Sequence, residues 1–411
     1  MGHLLGAPPP AATTRLVSEP VRQTWVTVRE IAIAPLDPSL AGFAVDSPRP
    51  GDHSRGVGIE INGWAISRAA PVQAITVTTH GNSAISFPLD VRRPDVANDY
   101  PDIPHPERSG FSVWAPLELT GDGDAREITV AAVLSDRQPV ILARIVATIR
   151  TEDVIDVAGS RRIDAPDFAI VGTQRGGTTS LHAYLGAHPQ IRLPATKELH
   201  YLTDRHHRGR EWYLGQFPSP LSAGHRTGEA TPYALFHPLA PARLRSAAPD
   251  AKLIVLLRNP VDRAYSHFLM ERQRGDEPLD FAAALAAEPA RLAGEAARLL
   301  ADPTSISWPH KHASYLARGD YAPQLARWFA AFPRQQFLIL RSEDLYTQPA
   351  ETFARVTDFL GLDRSSAASF PIYNRTEGPP LDPTLRRQLI DHFASRNAEL
   401  ATLLGWDPNW P

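Results

Sequence analysis

The 411-residue sequence contains no cysteine. Disulfide bonds, thiolate nucleophiles and cysteine-based zinc sites are therefore excluded, and a cytoplasmic location is expected. Long hydrophobic runs are also missing, because no stretch approaches the roughly 20 apolar residues of a membrane-spanning helix. The N-terminus lacks a basic region followed by a long apolar stretch, so we expect no signal peptide. The formal net charge is only −3, which disfavours general nucleic-acid binding and makes any anion site a local feature.

Two patterns of hydrophobicity divide the chain. Residues 1–20 are rich in Pro, Ala and Thr and are expected to be disordered. From 21 to 150, short period-two segments such as 58–66 are separated by Gly, Pro and Asp, which predicts an all-β, sandwich-like accessory domain. The charged segment 151–165 is expected to be a linker.

The pattern changes after residue 166. Apolar segments of strand length at 168–171, 253–257 and 337–340 alternate with segments of amphipathic helix length. Those helical segments are 178–187, 237–247, 260–273, 320–332, 349–360 and 383–404. This alternation predicts a three-layer α/β domain over 166–411, with a parallel sheet covered on both faces. Such domains bind ligands beyond the carboxyl ends of their strands.

The stretch 171-VGTQRGGTTSLHAYL-185 follows the first of these strands. Gly172, Gly177 and Thr179 match a triphosphate-binding loop, but Thr178 occupies the lysine position and the only cation, Arg175, lies inside the loop. Backbone amides at a helix N-terminus, hydroxyl groups and one arginine favour an anion. The alternative is an ordinary turn with a threonine cap. The candidate binding residues are Gln174, Arg175, Gly176, Gly177, Thr178, Thr179 and Ser180.

The second strand lies in 252-KLIVLLRNPVDRAYSHF-268 and ends at Arg258. A nucleoside triphosphatase needs an acidic residue at the end of a neighbouring strand to hold magnesium. A cation stands there instead, so the two loops together predict a phosphorylated nucleotide held by protein cations and hydroxyls without a metal.

Together the two motifs resemble the sulfotransferases that use 3′-phosphoadenosine 5′-phosphosulfate (PAPS), closest to the bacterial and heparan-sulfate-type branch, over about 166–411. The resemblance implies a P-loop-like parallel sheet, PAPS as co-substrate and no metal. It also implies that the first loop holds the 5′-phosphosulfate and that Arg258 and Ser266 hold the 3′-phosphate. The late segment 373-YNRTEGPPLDP-383 resembles a loop that closes over the nucleotide, which makes Arg375 a further candidate contact.

The segment 189-PQIRLPATKELHYLTD-204 resembles the stretch that carries the general base of the heparan-type enzymes. The resemblance implies that Glu198 takes this role, whereas a surface Lys–Glu pair is the alternative reading. Lys197 and His200 flank it as candidate substrate contacts, and His200 is an alternative base. In 227-TGEATPYALFHP-238 the family's lysine is replaced by Ala230. Arg175 is expected to stabilise the leaving phosphate electrostatically, since arginine does not readily release a proton.

The branch resemblance makes a glycan or glycolipid the first choice of acceptor, with a small molecule left open. Two other functions remain under consideration. One is a magnesium-dependent P-loop kinase or nucleoside triphosphatase. The other is a non-catalytic carbohydrate-binding protein, in which Trp64, Phe111 or Trp114 of the β-rich region would stack on sugar rings, although aromatic residues in strands more often pack in a core.

Overall fold

The structure is a computed structural model. It describes residues 21–68, 70–79, 84–89, 91–104, 106–118, 123–135, 138–154, 160–363, 369–373 and 378–410. The disorder expected for residues 1–20 and the candidate Arg375 lie outside these ranges. Within them, none of the helices combines the length and apolar character needed to cross a bilayer.

Where the structure describes it, the N-terminal region consists of antiparallel strands, the short helix α1 (Pro94–Asp99) and a 3₁₀ turn at Pro106–Arg108. The strands are β1 (Val21–Ile33), β2 (Leu40–Ser47), β3 (His53–Arg55), β4 (Gly58–Ser67), β5 (Val72–Thr79), β6 (Ile85–Phe87), β7 (Gly110–Pro116), β8 (Ala125–Leu134) and β9 (Val140–Val154). A six-stranded sheet has the order β3-β1-β9-β8-β5-β6, and a three-stranded sheet has the order β2-β4-β7. The expected β-rich region is therefore present as two antiparallel sheets.

The period-two pattern explains how these sheets share a core. In β4, Ile59 and Ile61 are buried while Glu60 and Asn62 are only half-buried, as expected for a strand with one face turned inward. Residues from both sheets form a single hydrophobic cluster, with Val26 and Ile75 from the larger sheet beside Ile61 from the smaller one.

The segment expected to be a linker carries regular structure. Strand β9 continues to Val154, and β10 (Ser160–Arg161) pairs antiparallel with β12 (Leu221–Ser222). Ser160 and Arg161, at the end of this segment, are thus paired with the C-terminal domain.

The C-terminal domain contains the predicted parallel sheet. Its strands are β11 (Phe168–Gly172), β13 (Gly228–Ala230), β14 (Lys252–Leu257) and β15 (Phe337–Arg341), in the order β13-β11-β14-β15. Because β11 and β14 are parallel neighbours, the loop after Gly172 and the turn at Arg258 leave the sheet side by side.

Helices cover this sheet on both faces, and all six predicted helical segments are confirmed. The helices are α2 (Thr178–Gly186), α3 (Gly209–Gly215), α4 (Ala240–Ala247), α5 (Pro260–Arg274), α6 (Phe281–Leu292), α7 (Glu295–Ala301), α8 (Trp308–His312), α9 (Tyr321–Ala331), α10 (Ser342–Thr347), α11 (Pro349–Leu360) and α12 (Pro383–Leu404). Along β14, Leu253 and Val255 belong to one core and Ile254 and Leu256 to another. This alternation is the three-layer α/β arrangement expected from the sequence.

Aromatic and charged side chains join the β-rich region to the α/β domain. The Trp114 ring lies 6.0 Å from the Trp212 ring, and the Arg208 guanidinium lies 4.9 Å from Trp212 and 5.6 Å from Trp114. Arg208 Nη2 also donates to Glu60 Oε1 at 3.0 Å. This contact surface shows that Trp114 packs against the α/β domain.

The three aromatic residues considered for sugar stacking pack against other parts of the protein. Phe111 and Trp114 are 1% and 3% exposed, and the Trp64 ring lies 5.7 Å from the Tyr100 ring. Phe111 lies in the core that the two sheets share, Trp114 packs at the domain contact, and the partly buried Trp64 packs against a separate small cluster.

Candidate active site

A cavity of about 950 Å³ opens at the carboxyl ends of β11 and β14. Its wall combines the loop after β11, one face of α5, the turn at Glu198 and the end of α8. Nine of the residues singled out from the sequence line it: Gln174, Arg175, Gly177, Thr178, Thr179, Glu198, His200, Arg258 and Ser266. Gly176, Ser180 and Lys197 do not line it, although each is adjacent in sequence to a residue that does.

The loop after β11 leads directly into α2. Gly177 is the N-cap of α2 and has a φ of 90°, a left-handed conformation that glycine adopts without steric cost. Among the described residues, no side chain caps this helix. Its first amides therefore point their positive dipole ends toward the cavity, where they suit an anion.

Two arginines meet on this side of the cavity. Arg175 Nε donates to Ser266 Oγ at 3.0 Å, and Arg258 Nη1 donates to the Arg175 carbonyl oxygen at 2.9 Å. Burial, followed by the nearby charge of Arg258, lowers the pKa of Arg175 to about 10. Arg175 therefore remains charged at neutral pH, and the paired cations favour binding of an anion between them.

A buried arginine fixes the first loop from behind. Arg318 is 2% exposed, and its Nη1 donates to Gln174 Oε1. Its Nη2 donates to the carbonyl oxygens of His310 and Lys311. Burial lowers the pKa of Arg318 to about 10, so it keeps its charge and ties the loop to the end of α8.

The opposite side of the cavity carries Glu198. Lys197 Nζ donates to Glu198 Oε1 at 2.5 Å, and His200 Nε2 lies 3.6 Å from Glu198 Oε2. Burial opposes ionisation of Glu198, but the charge and hydrogen bond of Lys197, together with His200 and Lys311, outweigh it and leave the pKa below its ordinary value of 4.5. Burial lowers the pKa of His200 to about 4, so at neutral pH an ionised carboxylate faces a neutral imidazole.

Three residues of the site have an unusual backbone conformation. Arg175, Glu198 and His200 have φ values of 68°, 62° and 57°, a region that non-glycine residues seldom occupy and that is concentrated at functional sites. The Glu198 amide donates to the Ala230 carbonyl oxygen at 3.2 Å, so the end of β13 helps to hold this conformation. The Tyr201 ring stacks on Tyr213 of α3 at 4.2 Å, which anchors the segment after Glu198.

A second charged pair lies behind Glu198. Lys311 Nζ donates to Asp204 Oδ2 at 2.5 Å, and His200 Nδ1 lies 3.9 Å from the same oxygen. Burial raises the pKa of Asp204, but Lys311 and other cations outweigh it and lower the pKa to about 2. Asp204 is therefore ionised and orients Lys311, whereas the hydrogen bond of His200 Nδ1 is with Thr203 Oγ1 at 3.1 Å.

Several lining residues were missed at the level of sequence. Met270, Gln273 and Arg274 follow Ser266 on one face of α5, and the i, i+4, i+7, i+8 spacing from Ser266 was the signal that could have found them. Lys311 and His312 come from α8, where nothing in the sequence pattern indicates a site.

The structure explains why Ser180 stands apart. Its side chain is fully buried, and its hydroxyl accepts from the Tyr373 amide at 3.1 Å. Ser180 thus holds the late segment at Tyr373 against α2.

Among the described residues, one group of side chains has donor atoms close enough for a metal ion: Glu271, Asp276 and His312. Both carboxylates already lie near arginines, with Arg92 Nη1 3.2 Å from Asp276 Oδ1 and Arg274 Nη1 3.7 Å from Glu271 Oε1. These positive charges disfavour a divalent cation there.

Comparison with known proteins relates this chain to sulfotransferases. The family model described as "Sulfotransferase domain" matches residues 165–375, just over half of the chain. Mouse heparan sulfate glucosamine 3-O-sulfotransferase 6 is 35% identical over 222 residues, covering 54% of this chain and 59% of that protein. The membrane-associated sulfotransferase kil1 of Dictyostelium discoideum is 28% identical over 312 residues, covering 60% of this chain and 66% of that protein.

A sulfotransferase structure from Alicyclobacillus acidocaldarius is 30% identical, with a TM-score of 0.48, and covers 60% of this chain and 98% of that one. The chain spans about three fifths to two thirds of the length of the curated relatives named above. The family match covers the β11 loop, the Glu198 segment and the Arg258 segment, and on this basis the chain belongs to the sulfotransferase-domain family.

Proposed function

We propose that this protein transfers a sulfuryl group from PAPS to a hydroxyl or amine of an acceptor, with Glu198 as general base. The observation that carries the proposal is a single cavity in which a helix N-terminus and two arginines face an ionised carboxylate. One side suits a phosphorylated donor and the other can accept a proton.

The donor side has the chemistry that a nucleotide with two anionic ends requires. The uncapped N-terminus of α2, with Thr178 and Thr179, would hold the 5′-phosphosulfate. Arg258 and Ser266 would hold the 3′-phosphate, since guanidinium groups bind phosphate oxygens in a forked geometry. The cavity volume of about 950 Å³ is large enough for a nucleotide together with part of an acceptor.

PAPS supplies an activated sulfuryl group whose transfer leaves a phosphate. Arg175 would stabilise the negative charge that grows on that phosphate, and its pKa of about 10 keeps it charged during the reaction. Arg175 would act as an electrostatic donor and not as an acid.

The acceptor side uses Glu198. An attacking hydroxyl loses its proton as its oxygen bonds to sulfur, and a carboxylate within hydrogen-bond reach can take that proton. The lowered pKa keeps Glu198 ionised at neutral pH. His200 would orient the carboxylate or the acceptor, because its own pKa of about 4 leaves it neutral.

The acceptor class follows from the relatives. Those named above include a heparan sulfate glucosamine 3-O-sulfotransferase, which supports a glycan as acceptor here, with a glycolipid as the next candidate. The kinase alternative is not favoured, because β14 ends at Arg258 and the loop carries Thr178 where a triphosphate-binding lysine would stand.

Two measurements test the proposal. Calorimetry without magnesium should detect binding of adenosine 3′,5′-bisphosphate, the product nucleotide. Labelled sulfate should pass from PAPS to a polysaccharide or glycolipid extract in the presence of the wild-type protein and not the Glu198→Gln variant. Magnesium-dependent ATP hydrolysis with no binding of the bisphosphate would overturn the proposal in favour of the kinase class.

A further inference from the structure

Lysine is scarce in this chain. Of 42 basic residues other than histidine, three are lysines, at positions 197, 252 and 311, and 39 are arginines. Lys252 has a structural position, because its Nζ donates to the Phe359 carbonyl oxygen at 2.5 Å and lies 5.4 Å from the Phe359 ring. The other two lysines stand at the cavity, and one of them, Lys311, lines it.

The backbone of Lys311 is fixed relative to the phosphate side of the cavity. Helix α8 begins with a Ser307 cap that accepts from the His310 amide at 3.1 Å. At its end, the buried Arg318 donates to the Lys311 carbonyl oxygen and, through another nitrogen, to Gln174 of the first loop. One guanidinium therefore sets the distance between the phosphate-binding loop and Lys311.

The side chain of Lys311 is held on the side of Glu198. Its ammonium donates to Asp204 at 2.5 Å, and 27% of the side chain is exposed. An ammonium has three donors, so the bond to Asp204 leaves donors that can face the cavity. Strand β13 ends nearby in Ala230, whose methyl side chain brings no charge, so Lys311 is the lysine that lines this wall.

We propose that Lys311 is a further catalytic residue, whose ammonium binds the oxygens of the sulfuryl group as it passes from donor to acceptor. The inference rests on the function proposed above. In that step the acceptor oxygen forms a bond to sulfur and the bond from sulfur to the bridging phosphate oxygen breaks. That oxygen keeps the electron pair, and the acceptor proton goes to Glu198.

Lys311 and Arg175 then have separate tasks. Arg175 belongs to the phosphate side with Arg258 and Ser266, whereas Lys311 bonds to Asp204, which lies 3.9 Å from His200 on the Glu198 side. A compact ammonium concentrates its charge at one point, whereas the flat guanidinium spreads it over a fork. The sulfuryl group would pass between Lys311 and Arg175. The Lys311 ammonium would then stabilise charge beside the acceptor, while the Arg175 guanidinium stabilises charge on the leaving phosphate.

A purely structural role for Lys311 would be to neutralise the buried Asp204, and a mutant cycle separates the two roles. Lys311→Met should lower kcat by about 10²- to 10³-fold, the usual effect of losing one electrostatic donor, with little change in affinity for adenosine 3′,5′-bisphosphate. The same replacement made in an Asp204→Asn background should still lower kcat at least tenfold. If it has no effect there, Lys311 only balances Asp204 and the inference is wrong. Lys252→Arg is the matched control and should leave kcat unchanged.

A second readout does not depend on turnover. Incorporation of ¹³C-labelled lysine during expression leaves the ammonium groups unmodified and labels three side chains, whose NMR signals can be assigned from Lys→Arg variants. Addition of PAPS without acceptor should shift the Lys311 signal more than adenosine 3′,5′-bisphosphate does, while the Lys252 signal stays in place. Equal shifts with both nucleotides, or none at Lys311, would overturn the inference. Failure of the wild-type protein to bind either nucleotide would instead overturn the proposed function beneath it.

Discussion

Replacement of Arg258 by methionine should weaken nucleotide binding without damaging the fold. Arg258 leaves β14 beside the first loop and donates to the Arg175 carbonyl oxygen at 2.9 Å. A hydrogen bond to a charged partner contributes about 1.5–3 kcal/mol, and each 1.4 kcal/mol is tenfold in affinity. We therefore expect the dissociation constant for adenosine 3′,5′-bisphosphate to rise about 10- to 150-fold.

Isothermal titration calorimetry without magnesium measures this effect directly. Ser266→Ala removes a neutral hydroxyl that accepts from Arg175, so its cost should be smaller, roughly two- to thirteenfold, since a neutral hydrogen bond contributes about 0.5–1.5 kcal/mol. Arg258→Lys is the matched control. It keeps the charge but loses the forked donors, and should fall between the wild type and Arg258→Met.

The same variants separate binding from stability. In Arg258→Met, loss of the hydrogen bond to the Arg175 carbonyl oxygen lowers the free energy of unfolding. Removal of the repulsion between Arg258 and Arg175 raises it again in part. The melting temperature without ligand should therefore change by no more than about 2–4 °C. Unchanged affinity in Arg258→Met would refute the assignment of Arg258 to the nucleotide. A collapse of the melting temperature would show that the guanidinium is chiefly structural.

Four further predictions concern the proposed base, its pH dependence, the loop and the domain contact. Glu198→Gln should lower kcat about 10²- to 10⁴-fold while bisphosphate affinity is retained; near-normal turnover at saturating acceptor would exclude Glu198 as the base. If Glu198 is the base, it acts when deprotonated; because its pKa lies below 4.5, wild-type kcat should rise with pH only below that value, and Lys197→Met should move this limb to higher pH, so an unmoved limb in a pH–rate profile would contradict the pairing. Gly177→Ala forces a side chain onto a φ of 90°, which costs roughly 1–2 kcal/mol and should weaken bisphosphate binding in calorimetry, whereas wild-type affinity would show that the loop tolerates the change. Glu60→Gln removes the carboxylate that accepts from Arg208 and should lower the free energy of unfolding by on the order of 1–3 kcal/mol, measured in urea; an unchanged midpoint would mean that the aromatic contacts alone hold the domains together.

The α/β half of the fold could be predicted because its signals are local. Segments such as 253–257 are apolar on both faces, and Pro260 and Pro383 mark helix starts. Strands and helices can therefore be predicted from hydrophobic periodicity and from the residues that begin helices. In the N-terminal half the alternation predicted strands but not which strands would pair. The division into sheets of six and three strands depends on contacts between distant segments.

Part of the candidate site could likewise be predicted from the sequence, and part could not. Arg175 and Arg258 follow neighbouring parallel strands, so sheet geometry brings them together and the sequence could predict their proximity. Lys311 lies on a five-residue helix whose place is set by the buried Arg318, a contact made only after the chain has folded. A short helix carries too few residues to show a periodic signal, which is why this wall of the cavity was missed.

The contact of Arg208 with Trp114 and Trp212 also predicts which part of the site is lost first when the protein is heated. The loop after β11 is anchored in the central sheet, whereas the segment carrying Glu198 runs on through Tyr201 to α3 and rests against the β-rich region. If the proposed roles are right, heat that loosens the domain contact should displace Glu198 before it releases the nucleotide. An enzyme built in this way would still grip its donor at temperatures where it had already stopped delivering sulfate.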